Sequence, residues 1–104
     1  LPLMSQLKSM HNPLHPGEFI SSVYLEPSGV SGRELAANLD VAPSTRNRIL
    51  NVTSRVSPEM ALRLSKALGR TPESWLIMQD AYDSWQARKI VKLSRVKQLD
   101  WEAV

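Results

Sequence analysis

The chain has 104 residues, a length that predicts one domain. It contains no cysteine, which excludes disulfides, thiolate metal sites and cysteine nucleophiles. Its charged residues are 13 Lys or Arg and 10 Asp or Glu. The net charge of +3 is uneven, because residues 31–70 carry seven bases and three acids, and such a local excess favours a phosphate-bearing partner. Neither a membrane-spanning stretch nor a signal peptide is indicated, so we expect a soluble, cytoplasmic protein with no membrane partner.

Residues 1–12 lack sustained periodicity and are predicted to form a flexible N-terminal arm. His11 and His15 stand four apart, a spacing that could bind a metal on a helix, but Pro13 opposes that helix and no third ligand accompanies them. We therefore predict no metal and no cofactor. A first helix should begin at Pro16 and end by Gly29. Its core-facing residues are predicted to be Phe19, Ile20, Val23 and Tyr24.

Residues 31–51 are predicted to form two short helices joined by a tight turn. Ser31 and Glu34 make a capping-box pattern at the first start, and Pro43 suits the first position of the second helix. Most of the second helix is polar, with side chains of the types that contact base edges in the major groove. The predicted base contacts are Pro43, Ser44, Thr45, Arg46 and Asn47. The alternative for this pattern is the solvated face of a small helical protein.

Phosphate contacts are predicted on the same pair of helices and in the loop that follows it, where Arg, Asn, Ser and Thr are concentrated. The residues concerned are Arg33, Arg48, Asn51, Thr53, Ser54 and Arg55. Loops of this composition are also often simply solvated.

Two more helices are predicted from the repeated Ser/Thr-Pro-Glu patterns at 57–59 and 71–73. The last of them is aromatic and carries two apolar stripes. One is predicted to pack in the core and the other to contact a second chain, and burial of both stripes in the core is an equal alternative. The predicted dimer contacts are Trp75, Ile77, Met78, Ala81, Tyr82 and Trp85. Residues 13–92 are thus predicted to form the domain, and residues 93–104 a C-terminal tail that is frayed or binds a partner.

This order of elements resembles the lambda-repressor-like (XRE, Cro/cI) domain, an all-α fold of five helices with the helix-turn-helix at helices 2 and 3 and an aromatic C-terminal helix. A closer similarity to the HigA antitoxins spans residues 13 to about 89. It is carried above all by His15-Pro16-Gly17-Glu18 near the start and by Thr71-Pro72-Glu73-Ser74-Trp75-Leu76 near the end. Two positions depart from the family: Arg46 stands where an aliphatic residue is frequent, and Asp40 stands where the turn often has Gly.

The resemblance implies a homodimeric repressor that binds a palindromic operator on double-stranded DNA in its own operon. In paired systems such a protein also neutralises a HigB-type mRNA-cleaving toxin. Two alternatives stay open: a lone helix-turn-helix regulator without a toxin, and a helical protein-interaction module with vestigial DNA binding. An enzyme is not expected, since no acid pair and no Ser/His grouping stands out.

Overall fold

The computed structural model describes residues 12–101, and within that range it contains five helices and no β-strand. Helix α1 is composite: the α-helical turn Pro16–Phe19, the π-helical segment Ile20–Leu25 and the α-helical turn Glu26–Ser28. The other helices are α2 (Gly32–Leu39), α3 (Pro43–Leu50), α4 (Pro58–Leu68) and α5 (Pro72–Ile90). The predicted all-α, five-helix fold is therefore confirmed. Most of the predicted N-terminal arm, His11 included, lies outside the described residues.

Three helices begin where a hydroxyl side chain accepts a hydrogen bond from the first helical turn. The Ser31 Oγ accepts from the Glu34 amide at 3.1 Å, the Ser57 Oγ from the Met60 amide at 3.2 Å, and the Thr71 Oγ1 from the Ser74 amide at 3.1 Å. Each bond satisfies one of the donors that a helix start leaves without an intrahelical partner. The starts predicted from the sequence are thus set by local chemistry.

All five helices contribute side chains to the core, which includes the fully buried Trp75. The Trp75 indole N–H donates to the Gly69 carbonyl at 3.1 Å. The rings of Phe19 and Tyr24 lie 5.9 and 6.3 Å from the Trp75 ring. These contacts fasten the start of α5 to α1. The other buried apolar side chains are Ile20, Leu35, Ala36, Leu39, Ile49, Val56, Met60, Ala61 and Leu64.

The prediction that Val23 faces the core is wrong, because the middle of α1 is π-helical. A π-helix closes its hydrogen bonds between residues five apart and so carries more residues per turn than an α-helix. Tyr24, five residues after Phe19, therefore returns to the Phe19 ring at 6.1 Å. Val23 is turned outward and is 47% exposed.

Residues 91–101 follow α5 as a mostly irregular and exposed segment. The helices of residues 12–101 include none with both the length and the apolar character needed to cross a bilayer.

Candidate nucleic-acid interface

The inner side of helix α3 packs against the core and against α1, and its outer side is polar. Ile49 is buried in the core, and α1 approaches so closely that an added Cβ on Gly17 would lie 2.0 Å from the Ile49 carbonyl oxygen. Among the predicted base contacts, Pro43, Ser44 and Asn47 are exposed, whereas Thr45 and Arg46 are half-buried. The backbone of α3 is thus fixed while three of the five predicted side chains face outward.

Arg46 folds back across the start of α2 instead of extending outward from α3. A Cβ built on Gly32 would lie 2.3 Å from its Nη1 and 3.2 Å from its Cδ. The Nε atom is buried, and no atom of the described residues accepts a hydrogen bond from it. A buried donor without an acceptor costs free energy, and a ligand that accepted a hydrogen bond from this guanidinium would remove that cost.

The turn between α2 and α3 has Asp40 in the left-handed region, with φ of 56°, at the position where the family often has Gly. The guanidinium of Arg63 on α4 supports this turn, since its Nη1 donates to the Leu39 carbonyl at 2.8 Å and to the Asp40 carbonyl at 3.0 Å. Arg63 thereby caps the end of α2 from outside the helix. The local sequence pattern does not indicate this contact, which joins residues more than 20 positions apart.

The predicted phosphate contacts surround α3. Arg33 and Arg48 are exposed on α2 and α3, and Asn51 and Thr53 are exposed after α3. The loop is compact because the amides of Thr53 and Ser54 both donate to the Arg48 carbonyl, at 2.8 and 3.2 Å, and the Thr53 hydroxyl donates to it at 3.0 Å. The end of α3 and the loop therefore form one polar surface.

Arg55, the last predicted phosphate contact, is paired with acids of α5. Its Nε and Nη2 donate to the Asp83 Oδ2, each at 2.7 Å, and the Asp80 Oδ1 lies 3.8 Å from Nη2. The Arg55 side chain is 65% exposed, so this ion pair is open to solvent and worth little in stability. It fixes the direction of the guanidinium, and a phosphate would compete with Asp83 for it.

Gln79 connects the same loop to α5 from inside the protein. Its buried Oε1 accepts from the Val56 amide at 2.8 Å, and its Nε2 donates to the Asp83 Oδ1 at 3.0 Å. The side chain therefore satisfies a buried backbone donor and orients the carboxylate that pairs with Arg55. The local sequence pattern does not indicate this role of Gln79, because its backbone partner lies 23 positions away.

His15 joins α1 to the loop and to α5. Its Nδ1 accepts from the Gly17 amide at 2.9 Å, its Nε2 lies 3.1 Å from the Ser54 carbonyl oxygen, and its own amide donates to the Glu18 Oε1 at 3.0 Å. These partners assign the proton to Nε2, which donates to Ser54. The Tyr82 ring meets the imidazole edge to face at 5.0 Å. His15 is a buried cap and loop support, a role that its sequence neighbours do not indicate.

Burial lowers the pKa of His15 below 6.5, although the Ser54 carbonyl and the charges of Glu18 and Asp83 act in the opposite direction. The unfolded chain then binds more protons than the folded chain between these two pKa values, so stability rises with pH in that window. We expect the urea midpoint to be constant above about pH 7 and to fall as the pH drops through the folded pKa. Urea unfolding at pH 7.5 and 5.5 measures this loss. His15→Gln should unfold at nearly the same midpoint at both pH values; an equal loss in wild type and variant would assign the titration elsewhere.

Val52 lies in the left-handed region with φ of 62°, which strains a β-branched residue. Val52→Gly should raise the free energy of unfolding by about 0.5–1 kcal/mol, since relief of about 1–2 kcal/mol of left-handed strain is partly offset by the lost packing of a half-buried side chain. Thermal unfolding measures the change. Val41→Gly is the matched control, because Val41 is also half-buried but has no positive φ and should lose stability. A lower melting temperature for Val52→Gly would contradict the strain.

The predicted dimer contacts on α5 fall into two groups. Trp75 is fully buried in this chain's own core, so its side chain presents no surface to a second chain. Tyr82 is half-buried and packs on His15. Ile77 is 66% exposed, and Ala81 and Trp85 are half-buried. Met78, also half-buried, packs against the core. The outer face of α5, defined by Ile77, Ala81, Ser84 and Trp85, is thus the part that a second chain could contact.

The helix-turn-helix family model HTH_3 matches residues 24–76, about half of the chain. The HTH-type transcriptional regulator YddM of Escherichia coli K12 is 39% identical over 90 residues, which cover 86% of this chain and 95% of the relative. Antitoxin HigA-1 of Vibrio cholerae is 36% identical over 81 residues, which cover 78% of this chain and 76% of the relative.

Two solved structures are also similar. Antitoxin GraA superimposes with a TM-score of 0.79 at 40% identity, covering 84% of this chain and 97% of that one. The Pseudomonas aeruginosa antitoxin HigA, solved with the higBA promoter, gives a TM-score of 0.71 at 29% identity, covering 75% of this chain and 85% of that one.

Proposed function

Because the chain belongs to the XRE-type helix-turn-helix family of DNA-binding regulators, which includes the HigA antitoxins, we propose that it is a homodimeric repressor that binds a palindromic operator of its own operon. We further propose that it neutralises a HigB-type toxin. The family consists of regulators and antitoxins, not enzymes. The observation that carries the DNA-binding proposal is the polar outer side of α3, whose backbone is fixed from beneath by Ile49 and by the close approach of Gly17.

Within this proposal the side chains of α3 take different roles. Ser44 and Asn47 are exposed and of suitable chemistry for base edges, Asn in particular for adenine. Pro43 and Thr45 contribute apolar contact to the same bases. Arg33 and Arg48 with the loop side chains of Asn51, Thr53, Ser54 and Arg55 contact phosphates and set the register of α3 in the major groove. Arg46 contacts a base after its guanidinium leaves Gly32.

Arg46→Ala should relax discrimination at one base pair of the operator by about 1–3 kcal/mol. The physical reason is the loss of a donor pair suited to guanine. Arg48→Ala should instead weaken operator and random duplex alike and reduce the salt dependence, since each phosphate contact contributes a slope of about 0.9 to the plot of log affinity against log salt concentration. Fluorescence anisotropy titration of labelled operator and random duplexes at several salt concentrations measures both effects.

Gly32→Ala tests the position of Arg46 in the same titration, because its Cβ displaces the folded-back guanidinium. If Arg46 contacts a base, this variant should bind the operator at least as tightly as the wild type, and Arg46→Ala should remove any gain. Unchanged operator and random-duplex affinities for Arg46→Ala would sink the base-contact assignment. A wild-type chain with no salt-dependent DNA affinity would favour the protein-interaction module.

The dimer is proposed to form by antiparallel pairing of α5 through its outer face. The first half of α5 carries Glu73 and Asp80, and its end carries Arg88 and Lys89. A two-fold axis at the small residue Ala81 would set Ile77 against the partner's Trp85 and bring Glu73 to the level of the partner's Lys89. Opposite charges would thus meet at both ends. Sedimentation equilibrium gives the oligomeric state and its concentration dependence.

Toxin neutralisation is supported by the similarity to proteins named as antitoxins. The similarity to a protein named only as a transcriptional regulator favours a lone regulator as the second candidate. The adjacent genes distinguish the two: a small basic reading frame in the same operon, whose product stops growth alone and is tolerated with this chain, supports the antitoxin. A neighbour that is harmless when expressed alone, or whose toxicity this chain does not relieve, supports the lone regulator.

A further inference from the structure

An apolar groove opens where the end of α1 and the start of α2 meet the end of α4. It has a volume of about 390 Å³, and its floor includes the partly buried Leu25 and Leu68 and the buried Leu35. Val23, turned outward by the π-helical segment, is exposed at its wall. Glu34 also lines the groove, and the exposed Glu26 lies in the chain between two lining residues, Leu25 and Pro27. We name this feature the α1–α4 groove.

The C-terminal arm, residues 91–101, has the complementary composition. Its apolar side chains are each more than half exposed, and three cations accompany them against one acid. These apolar side chains are Val91, Leu93, Val96, Leu99 and Trp101. The cations are Lys92, Arg95 and Lys97, and the acid is Asp100. A short run with this many large exposed apolar residues marks an interaction surface, and its cations suit a groove that is lined by the Glu34 carboxylate.

The direction of α5 determines whether the C-terminal arm begins near its own chain's groove or near the partner's groove. Trp75 at the start of α5 lies beside Tyr24, which lines the groove. Ile90 is 15 residues further along the helix, a separation of about 22 Å at 1.5 Å per residue. A chain's own arm therefore leaves α5 at the end remote from its own groove. In the antiparallel α5 pair, the end of the partner's α5 comes beside the start of this one.

We propose that the C-terminal arm of each chain lies in the α1–α4 groove of its partner, so that the two chains exchange arms across the dimer. This inference rests on the homodimer of the proposed function. Apolar side chains of the arm fill the groove beside Val23, and arm cations face Glu34 and Glu26. The partner that covers both surfaces is a second copy of this chain.

Paramagnetic labelling tests the exchange, because the chain has no cysteine and Ser94→Cys gives a single attachment point in the arm. Spin-labelled Ser94→Cys chains at natural isotope abundance are mixed with wild-type chains that are enriched in ¹⁵N and carry no spin label. Only the partner of a labelled arm is then observed. The amide signals of Val23, Val30 and Ala67 in the ¹⁵N chain should broaden. The broadening should weaken with distance from the groove, so the amide of Leu62, which precedes Ala67 on α4 and lies outside the groove, should broaden less than that of Ala67.

Val23→Arg supplies the matched perturbation, with Leu62→Arg as its control, since both side chains are exposed apolar residues on helices and only Val23 lines the groove. Val23→Arg should remove the broadening and raise the dimer dissociation constant at least about tenfold, the effect of losing one well-buried aliphatic contact. Leu62→Arg should change neither. Circular dichroism of each variant reports whether it has folded.

The possible outcomes test the arm exchange and the formation of the dimer separately. Broadening in the ¹⁵N partner that Val23→Arg abolishes supports the exchange. Broadening confined to the labelled chain's own groove overturns it; this is measured on a small fraction of chains carrying both label and isotope, mixed into an excess of unlabelled protein. A stable dimer by sedimentation with no broadening overturns the exchange and leaves the α5 dimer standing. A monomer at all concentrations overturns the dimer and the exchange together.

Discussion

Replacing Gly17 by alanine should lower the free energy of unfolding by about 3 kcal/mol, the upper end of the usual cost of overpacking, and should abolish operator binding. An added Cβ would lie 2.0 Å from the Ile49 carbonyl oxygen and 3.1 Å from the Leu50 Cα. These are backbone atoms of α3, which cannot move aside as the tip of a side chain can. Either α1 must move away from α3 or α3 must shift relative to the rest of the domain, which would move the side chains proposed to contact DNA. Urea unfolding followed by circular dichroism measures the stability.

Gly32→Ala is the control for this substitution. Gly32 also lies in the first turn of a helix, but its added Cβ would meet only the flexible side chain of Arg46. Alanine is favoured over glycine within a helix by about 1 kcal/mol, so Gly32→Ala should be neutral or stabilising. Equal stability of the two variants would show that the approach of α1 to α3 is not a tight packing constraint.

Trp75→Ala should lower the free energy of unfolding by about 3–5 kcal/mol, as expected when a large aromatic side chain leaves a cavity in a core. The side chain is fully buried, packs against the rings of Phe19 and Tyr24, and donates a hydrogen bond to the Gly69 carbonyl. A loss of this size is a large part of a small domain's stability. Urea unfolding at two protein concentrations measures the loss, which should be present at both.

Trp85→Ala separates core from interface, since Trp85 is half-buried on the outer side of α5 with the Lys89 ammonium 3.4 Å from its ring centroid. We expect this variant to keep most of the stability of the single chain and to shift the dimer toward monomer in sedimentation. Retained folding of Trp75→Ala with dissociation of the dimer would reverse the two assignments.

The starts of α2, α4 and α5 could be predicted from the sequence because they depend on neighbouring residues. The hydroxyls of Ser31, Ser57 and Thr71 bind amides three residues ahead, and such caps leave a pattern that a linear sequence displays. The orientation of individual side chains was harder to predict. Val23 was assigned to the core because the pattern assumes an α-helical turn, and the π-helical segment breaks that assumption.

The supports of the site could not be predicted, because they join residues far apart in the chain. His15 reaches the Ser54 carbonyl across 39 positions, Gln79 reaches the Val56 amide across 23, and Arg63 reaches the Leu39 carbonyl across 24. A side chain and a backbone group form such a bond only after the helices have packed, and the backbone partner leaves no trace in residue type. The fold and the exposed polar surface of α3 were thus predictable, and the groups that hold the loop were not.

The contacts of Gln79 and Asp83 with the loop after α3 also have a thermodynamic consequence. One carboxylate, Asp83, accepts from the loop residue Arg55 and from Gln79 on α5. A ligand on α5 that prefers one position of this carboxylate would change the loop's affinity for phosphate. Reciprocity then requires the operator to change the affinity of that ligand by the same factor. The coupling can therefore be measured in two ways: as the change in operator affinity when the partner on α5 is bound, or as the change in the partner's affinity when the operator is bound. The two values should be equal.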